Sequence, residues 1–280
     1  MIRGVGHSFG RPRHYGRMHP PLPVPPHDEN QPSHVRFSID PRMGAILSGI
    51  RDSPFASDVG NRIARLVVEA DPSPTGPSLA EALRPHLWLL ERLGDACLPL
   101  TQAGYLKPVD VKALAKVLPT MDDWTFGVSR EVDAHPVAGF RAHLRELGLL
   151  RKTKGVLYAT KLGKEALRDP EVLWRQLVMG IVPQRSEFEE MAGLLLLLYM
   201  ATTPDGRVNV QQLIRILTEL GWTLPGGALL GQSEIYSVWN PLWDAVGNVG
   251  AAVAGRRERA LSPAGTSLVR DALIVVGAGG

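Results

Sequence analysis

The fold is decided by residues 136–159, whose sequence is PVAGFRAHLRELGLLRKTKGVLYA. The apolar residues of its first half recur at i, i+3, i+7 and i+10, the spacing of one buried helix face: Val137, Phe140, Leu144 and Leu147. Pro136 suits the first helical position because it has no N–H group, and Gly148 suits a left-handed cap. Two short apolar stretches then flank a turn that ends at Gly155. The sequence therefore predicts a helix followed by a two-stranded hairpin.

Two further helices and a short strand precede this stretch. Leucines at helical spacing between Leu79 and Leu93 predict the first helix, with Ser78 as its N-cap. Gly104-Tyr-Leu106 predicts the short strand, and the residues after it predict the second helix. Three helices followed by a hairpin form the winged-helix arrangement, in which the hairpin is the wing. A last helix begins after Thr160, a suitable N-cap.

The second half of the chain repeats this pattern at a shift of about 102 residues. Gly206-Arg-Val208 corresponds to Gly104-Tyr-Leu106, and Ser262-Pro-Ala-Gly265 corresponds to Thr160-Lys-Leu-Gly163. The fold class predicted is mainly α with small β-hairpin wings, in tandem winged-helix-like units. We expect a disordered arm rich in Pro, Arg and His (1–40), a helical lead-in (41–77), a first winged-helix unit (78–183) and a second, divergent unit (184–280).

The first unit also resembles a known family over about 75 residues. The matching motifs are Leu100-Thr101 with Gly104-Tyr105-Leu106, Arg130-Glu131, Pro136-Val137 and Gly148-Leu149-Leu150-Arg151. They resemble the C-terminal region of the actinobacterial relatives of a plasmid-encoded open-reading-frame-three family. The resemblance implies a winged-helix-like module in a bacterial protein. It implies no particular activity, because the family has none that is settled.

Composition limits the class of protein. One cysteine excludes a disulfide framework and a Cys-based zinc site. The longest apolar run has ten residues, far fewer than the roughly 20 that span a bilayer, so no membrane association is expected. The N-terminus lacks the apolar core of a signal peptide. The sequence therefore predicts a cytoplasmic protein, in the nucleoid if it binds DNA.

Positive charge is concentrated in residues 141–168, which hold eight Arg and Lys against two Glu. These cations fall on the third helix, the wing and the start of the last helix. A winged helix on duplex DNA uses the first two of these elements. The predicted nucleic-acid-binding residues are Arg141, His143, Arg145, Arg151, Lys152, Lys154, Lys161 and Lys164.

The second unit has the opposite charge, with seven acids against two arginines between Glu187 and Gly250. Its third helix carries three large aromatic residues and should present Asp244 outward. The aromatic residues are candidate anchors for a second copy or another protein: Tyr236, Trp239 and Trp243. The alternative is that they fill the core. Only a cluster at residues 256–259 of this unit should be able to touch a phosphate.

No catalytic residue, metal site or cofactor is predicted, because no glycine-rich phosphate loop, metal-ligand spacing or nucleophile elbow is present. Two hypotheses about function stay open. The first is a DNA-binding protein, either a transcriptional regulator or a nucleoid-associated factor, that binds double-stranded DNA through the first unit. The second is a winged-helix scaffold that binds protein and no nucleic acid.

Overall fold

The computed structural model describes residues 3–4, 36–94, 96–122, 124–251 and 259–277. The helices in these ranges are α1 (Pro41–Gly49), α2 (Ala56–Glu69), α3 (Gly76–Ala82), α4 (Arg84–Leu93), α5 (Pro108–Ala115), α6 (His135–Glu146), α7 (Lys161–Arg168), α8 (Pro170–Gly180), α9 (Glu187–Thr202), α10 (Val210–Glu219), α11 (Gln232–Val246) and α12 (Pro263–Leu273). The strands are β1 (Arg3–Gly4), β2 (Arg36–Ile39), β3 (Leu98–Pro99), β4 (Leu150–Thr153), β5 (Val156–Ala159), β6 (Trp222–Thr223) and β7 (Ile274–Gly277). The expectation of a mainly helical chain with a small antiparallel sheet is confirmed.

The hairpin of residues 150–159 belongs to a three-stranded antiparallel sheet in the order β3-β5-β4, in which β5 is the central strand. Its register pairs Leu150 with Ala159 and Thr153 with Val156. Lys154 and Gly155 form the turn with positive φ angles of 47° and 76°, the conformation that a two-residue hairpin loop requires. The predicted hairpin is therefore confirmed, and glycine takes the second left-handed position.

The helix before the hairpin also follows the prediction. α6 buries Val137, Phe140 and Leu144 completely, and Leu147 at its end is half-buried. Gly148 has a φ of 72°, so it ends the helix in the left-handed conformation. Local periodicity and a single glycine were enough to position this element.

The predicted helix between Leu79 and Leu93 is instead divided into α3 and α4 at Leu83. Pro85 explains the break, because a proline inside a helix removes a hydrogen bond and clashes with the preceding turn. Thr75, and not Ser78, is the N-cap of α3; Ser78 lies within the first turn, and its hydroxyl accepts a hydrogen bond from the Thr75 N–H. The predicted boundary at residue 78 thus lies inside a helix.

The predicted N-terminal arm is ordered at two places. β1 pairs with β6, and β2 pairs with β7 near the other end of the chain, with Ile39 opposite Ile274. These two strands lie inside the predicted arm, and their partners come from more than 200 residues away along the chain. Residues 5–35, which contain the proline run and the five histidines of the arm, lie outside the described residues.

The two halves share several local features at a displacement of 102 residues. Gly104 and Gly206 both have positive φ angles, and each donates its N–H to the residue three positions earlier. Thr160 and Ser262 cap α7 and α12 in the same way, accepting from the N–H groups of Gly163 (3.0 Å) and Gly265 (2.9 Å). The helices α6 and α11 also correspond in order, and α11 runs through Pro241, which lies inside the helix.

α9 and α11 determine how the halves pack. α9 is buried from Ala192 to Met200 and lies against α2, α10, α11 and α12, so its apolar circumference is covered within this chain. α11 packs along α6. The close approach occurs at Gly139, where a Cβ atom would overlap the carboxylate of Asp244. One continuous core therefore extends from α1 to the start of β7.

Candidate nucleic-acid interface

Five of the eight predicted binding residues are cations that are exposed on the hairpin and on the two helix ends beside it: Arg145, Arg151, Lys152, Lys154 and Lys161. We call them the hairpin cations. None of the five has an ion-pair partner within the part of the chain that the structure describes. Glu146, an acid close to them in sequence, is paired with Arg185. The hairpin cations therefore add uncompensated positive charge to the protein surface around the hairpin.

The base of the hairpin brings two of these cations to the same end. The hydroxyl of Thr160 donates to the Gly148 carbonyl at 2.6 Å, and its N–H donates to the Leu149 carbonyl at 2.9 Å. These bonds join the end of α6, which carries Arg145, to the start of α7, which carries Lys161. Arg145 and Lys161 are 16 residues apart in sequence, and these hydrogen bonds to backbone carbonyls place them at the same end of the hairpin.

On the hairpin itself the cations point to both faces. Arg151 is opposite Tyr158, and its guanidinium lies 5.8 Å from that ring's centroid. Lys152 is opposite the buried Leu157, and its ammonium reaches over Gly104, where a Cβ atom would overlap Nζ. Because successive residues of a strand point to opposite sides, no single face collects all of these charges.

Arg141 does not belong to this surface, and its predicted contact with DNA is wrong. It is 8% exposed, and its Nε donates to Glu131 Oε1 at 2.6 Å. The second carboxylate oxygen of Glu131 accepts from the Leu106 N–H at 2.5 Å. The pair therefore ties α6 to the loop before α5, in the position of a structural ion pair.

His143 is also buried, so the prediction that it contacts phosphate is wrong. It is 9% exposed, and burial lowers its pKa from 6.5 to about 4. His86 lies near it, edge-on to Phe140 at 4.9 Å, and burial together with His143 lowers the His86 pKa to about 3. Both side chains are neutral at pH 7, and they contribute to the core.

The third helix as a whole is not free to enter a major groove. α11 covers its Gly139 side, the turn at Glu131–Asp133 covers its Arg141 side, and its apolar face is in the core. Arg145 is the only exposed Arg or Lys on the helix itself. The expectation of a basic recognition face on this helix is corrected for this reason.

Lys164 and the cluster at residues 256–259 were also predicted to contact phosphate. Lys164 is half-buried on α7. In the second half, residues 256–258 lie outside the described residues. Arg259 lies over the rings of Trp239 and Trp243 at 5.6 and 5.9 Å and donates to Asn240 Oδ1 at 2.8 Å. Arg259 is therefore engaged within the chain.

The three candidate interface aromatics divide between core and surface. Trp239 is buried, Trp243 is half-buried, and Tyr236 is 41% exposed and stacked on Trp239 at 5.7 Å. The alternative that these residues fill the core therefore describes Trp239, whereas Tyr236 is exposed and Trp243 is partly open to solvent.

Two acidic residues matter here that sequence patterns did not single out. Glu131 is fully buried against Arg141, and its only signal was its place beside Arg130 in the motif of the resemblance. Asp244 lies against α6 instead of pointing outward, and burial raises its pKa to about 7. The small residue Gly139 on α6 was the available signal for a close helix contact at this point.

No cluster of three or more His, Cys, Asp or Glu side chains suited to a metal ion occurs among the described residues, and none of the described helices is long and apolar enough to cross a bilayer. Comparison of the chain with protein-family models, with curated protein sequences and with solved structures gives no match.

Proposed function

We propose that this chain is a binding protein for nucleic acid that holds the phosphate backbone of a duplex through its hairpin cations. The observation that carries the proposal is the exposure of five unpaired cations on one hairpin and its two adjoining helix ends. Cations without a protein partner release condensed counterions from a duplex when they bind it, which is the main source of sequence-independent affinity.

The fold proposed for this site is a winged helix with the wing as its contact element. The element order α4, β3, α5, α6, β4, β5 and the three-stranded sheet support it. The corresponding features of the second half, the glycines at 104 and 206 and the caps at 160 and 262, support a second, divergent unit. The resemblance to the open-reading-frame-three family is compatible with this proposal, since its motif residues Leu106 and Glu131 bond to each other.

The geometry favours insertion of the hairpin over insertion of α6. A major groove about 12 Å wide admits a two-stranded ribbon, and phosphates line both of its walls. Arg151 and Lys152 point to opposite faces of the hairpin, so a hairpin in the groove offers one cation to each wall. Contacts with phosphates fix the position of the protein on the duplex but do not distinguish between bases. We therefore propose binding with little sequence preference.

The test replaces three hairpin cations by glutamine (Arg151→Gln, Lys152→Gln and Lys154→Gln). Contacts by all five cations would give a slope of log K against log salt of about −4.5, and the loss of three should reduce its magnitude by about 2.7. The measurement is fluorescence anisotropy of a labelled random-sequence duplex between about 50 and 200 mM salt.

A control variant with the same change in charge removes three exposed cations elsewhere: Arg51→Gln, Lys116→Gln and Arg215→Gln. It should keep the wild-type slope. Equal slopes for wild type and the hairpin variant, or no binding of wild type at low salt, would overturn the proposal.

A protein partner is the second candidate, and one observation favours it. The first half exposes several large apolar side chains around the loop that precedes α5 and the turn before α6: Tyr105, Val109 and Val132. The hydrogen bond between Leu106 and Glu131 links these two segments. If the duplex does not bind, this apolar surface is where a scaffold function would be sought.

A further inference from the structure

A cleft of about 660 Å³ that is open to solvent lies where α6 meets α11, and the end of α8, residues 181–185 and the start of α9 also line it. Its volume is in the range of small-molecule sites, which usually occupy about 300–1,000 Å³. Much of its wall is apolar and comes from both halves of the chain: Leu147, Met179, Val182 and Leu242. The apolar part of a ligand could therefore bind between the two halves of the chain.

Asp244 is the polar group best placed to recognise a ligand there. Its carboxylate lies against Gly139 with no room for a Cβ atom, and no side chain among the described residues donates a hydrogen bond to it. Burial raises its pKa to about 7, and the charge of Arg259 opposes this increase. A partly buried carboxyl without a donor is stabilised in its charged form by a cation that brings N–H groups.

The other titratable groups around the cavity leave its charge negative. Glu146 and Arg185 neutralise each other as an ion pair at the edge. Glu189 on the first turn of α9 adds a further carboxylate. His143 lines the same wall as a neutral ring, and its Nε2 has no hydrogen-bond partner within the described residues. The lining thus has two carboxyl groups without an ion-pair partner among the described residues, Asp244 and Glu189. Arg259 acts on Asp244 through its charge but donates its hydrogen bond to Asn240.

We propose that this cavity binds a small apolar molecule with one protonated amine, with the amine against the Asp244 carboxylate and the apolar body against Leu147, Met179 and Leu242. The site joins α6 of the first half to α11 of the second. A bound molecule therefore stabilises the packing of the two helices, and its affinity does not depend on nucleic-acid binding.

The test uses three probes that share the naphthalene ring and are similar in size but carry a positive, a neutral and a negative group: 1-naphthylmethylamine, 1-naphthalenemethanol and 1-naphthoic acid. Isothermal titration calorimetry on the full chain measures their affinities. The amine should bind about tenfold or more tightly than the alcohol, because a charge-assisted hydrogen bond in a desolvated site contributes about 1.5–3 kcal/mol, which corresponds to this preference. The acid should bind more weakly than either.

Asp244→Asn should abolish the preference for the amine while binding of the alcohol persists. Asp205→Asn, which changes an exposed acid in the loop before α10, should preserve the preference. Amine binding at pH 6.5 should also release protons, seen as a dependence of the measured heat on the buffer, and Asp244→Asn should not release them.

Ala142→Trp provides the check on location, because Ala142 is exposed on α6 and lines the cavity. The indole ring should fill the space and weaken binding of the amine and the alcohol alike, while thermal unfolding shows that the chain still folds. The proposal is overturned if the amine and the alcohol bind equally to wild type, if the acid binds best, if no probe binds, or if Ala142→Trp leaves the affinities unchanged.

Discussion

Glu131→Ala is expected to lower the free energy of unfolding by about 3–5 kcal/mol, the cost of leaving one partner of a buried ion pair uncompensated. Glu131 has no exposed side-chain area, and it holds both Arg141 Nε at 2.6 Å and the Leu106 N–H at 2.5 Å. Removal of its carboxylate leaves a guanidinium that is nine-tenths buried. Nη1 of Arg141 already has no hydrogen-bond partner within the described residues.

Urea unfolding followed by circular dichroism measures the effect. Glu131→Gln should cost less than Glu131→Ala, because an amide oxygen still accepts hydrogen bonds. Asp133→Ala is the matched control: this acid forms an exposed pair with Arg130, and such pairs contribute at most about 1 kcal/mol. A cost for Glu131→Ala no greater than that of the control would show that the buried pair does not stabilise α6.

His86→Leu is expected to make the folded chain less sensitive to acid, by about 2 kcal/mol between pH 7 and pH 5. Burial, assisted by His143, lowers the His86 pKa from 6.5 to about 3. Below pH 6.5 the unfolded chain therefore takes up a proton at this site and the folded chain does not. The contribution of His86 to the free energy of unfolding is fully present above pH 6.5. It falls as the pH decreases toward 3, by about 1.36 kcal/mol per pH unit.

Asp244 changes the stability of the chain with pH in the opposite direction. Because wild type and His86→Leu both contain Asp244, its contribution cancels in the comparison between them. Burial raises its pKa from 3.8 to about 7, so its contribution is largest below pH 4 and is lost as the pH rises toward 7. Neither ring nitrogen of His86 has a hydrogen-bond partner among the described residues, so leucine removes no bond there.

Urea unfolding at pH 7 and at pH 5 gives the two free energies for each protein. His135→Gln is the control, because this histidine is exposed at the start of α6 and is not part of the core. Equal losses of stability on acidification for wild type and His86→Leu would contradict a neutral, buried His86.

Sequence patterns predicted the elements whose causes are local. The apolar spacing of α6, the left-handed Gly148, the Lys154–Gly155 turn and the Thr160 cap all depend on residues within one or two turns of each other. These interactions are short in range, so the same sequence favours them in any surroundings. The break at Pro85 was equally local and was open to prediction from the proline alone.

The site was harder to predict because its residues are decided by contacts that are distant along the chain. Arg141 and Arg145 are one turn apart and have the same charge, yet Glu131 and the turn that carries it bury the first and leave the second exposed. Asp244 meets Gly139 from about 100 residues away. Residue type alone does not distinguish a cation that faces water from one that faces a carboxylate.

By itself, the sequence determined the helices, the hairpin and its turn, and the concentration of positive charge around them, since backbone propensity and side-chain periodicity act over a few residues. Only the tertiary structure decided which charges reach solvent, which helix faces are covered and where a cavity remains between α6 and α11. The physical reason is that burial and ion pairing depend on which surfaces meet, and α11 meets α6 through packing that no local pattern encodes.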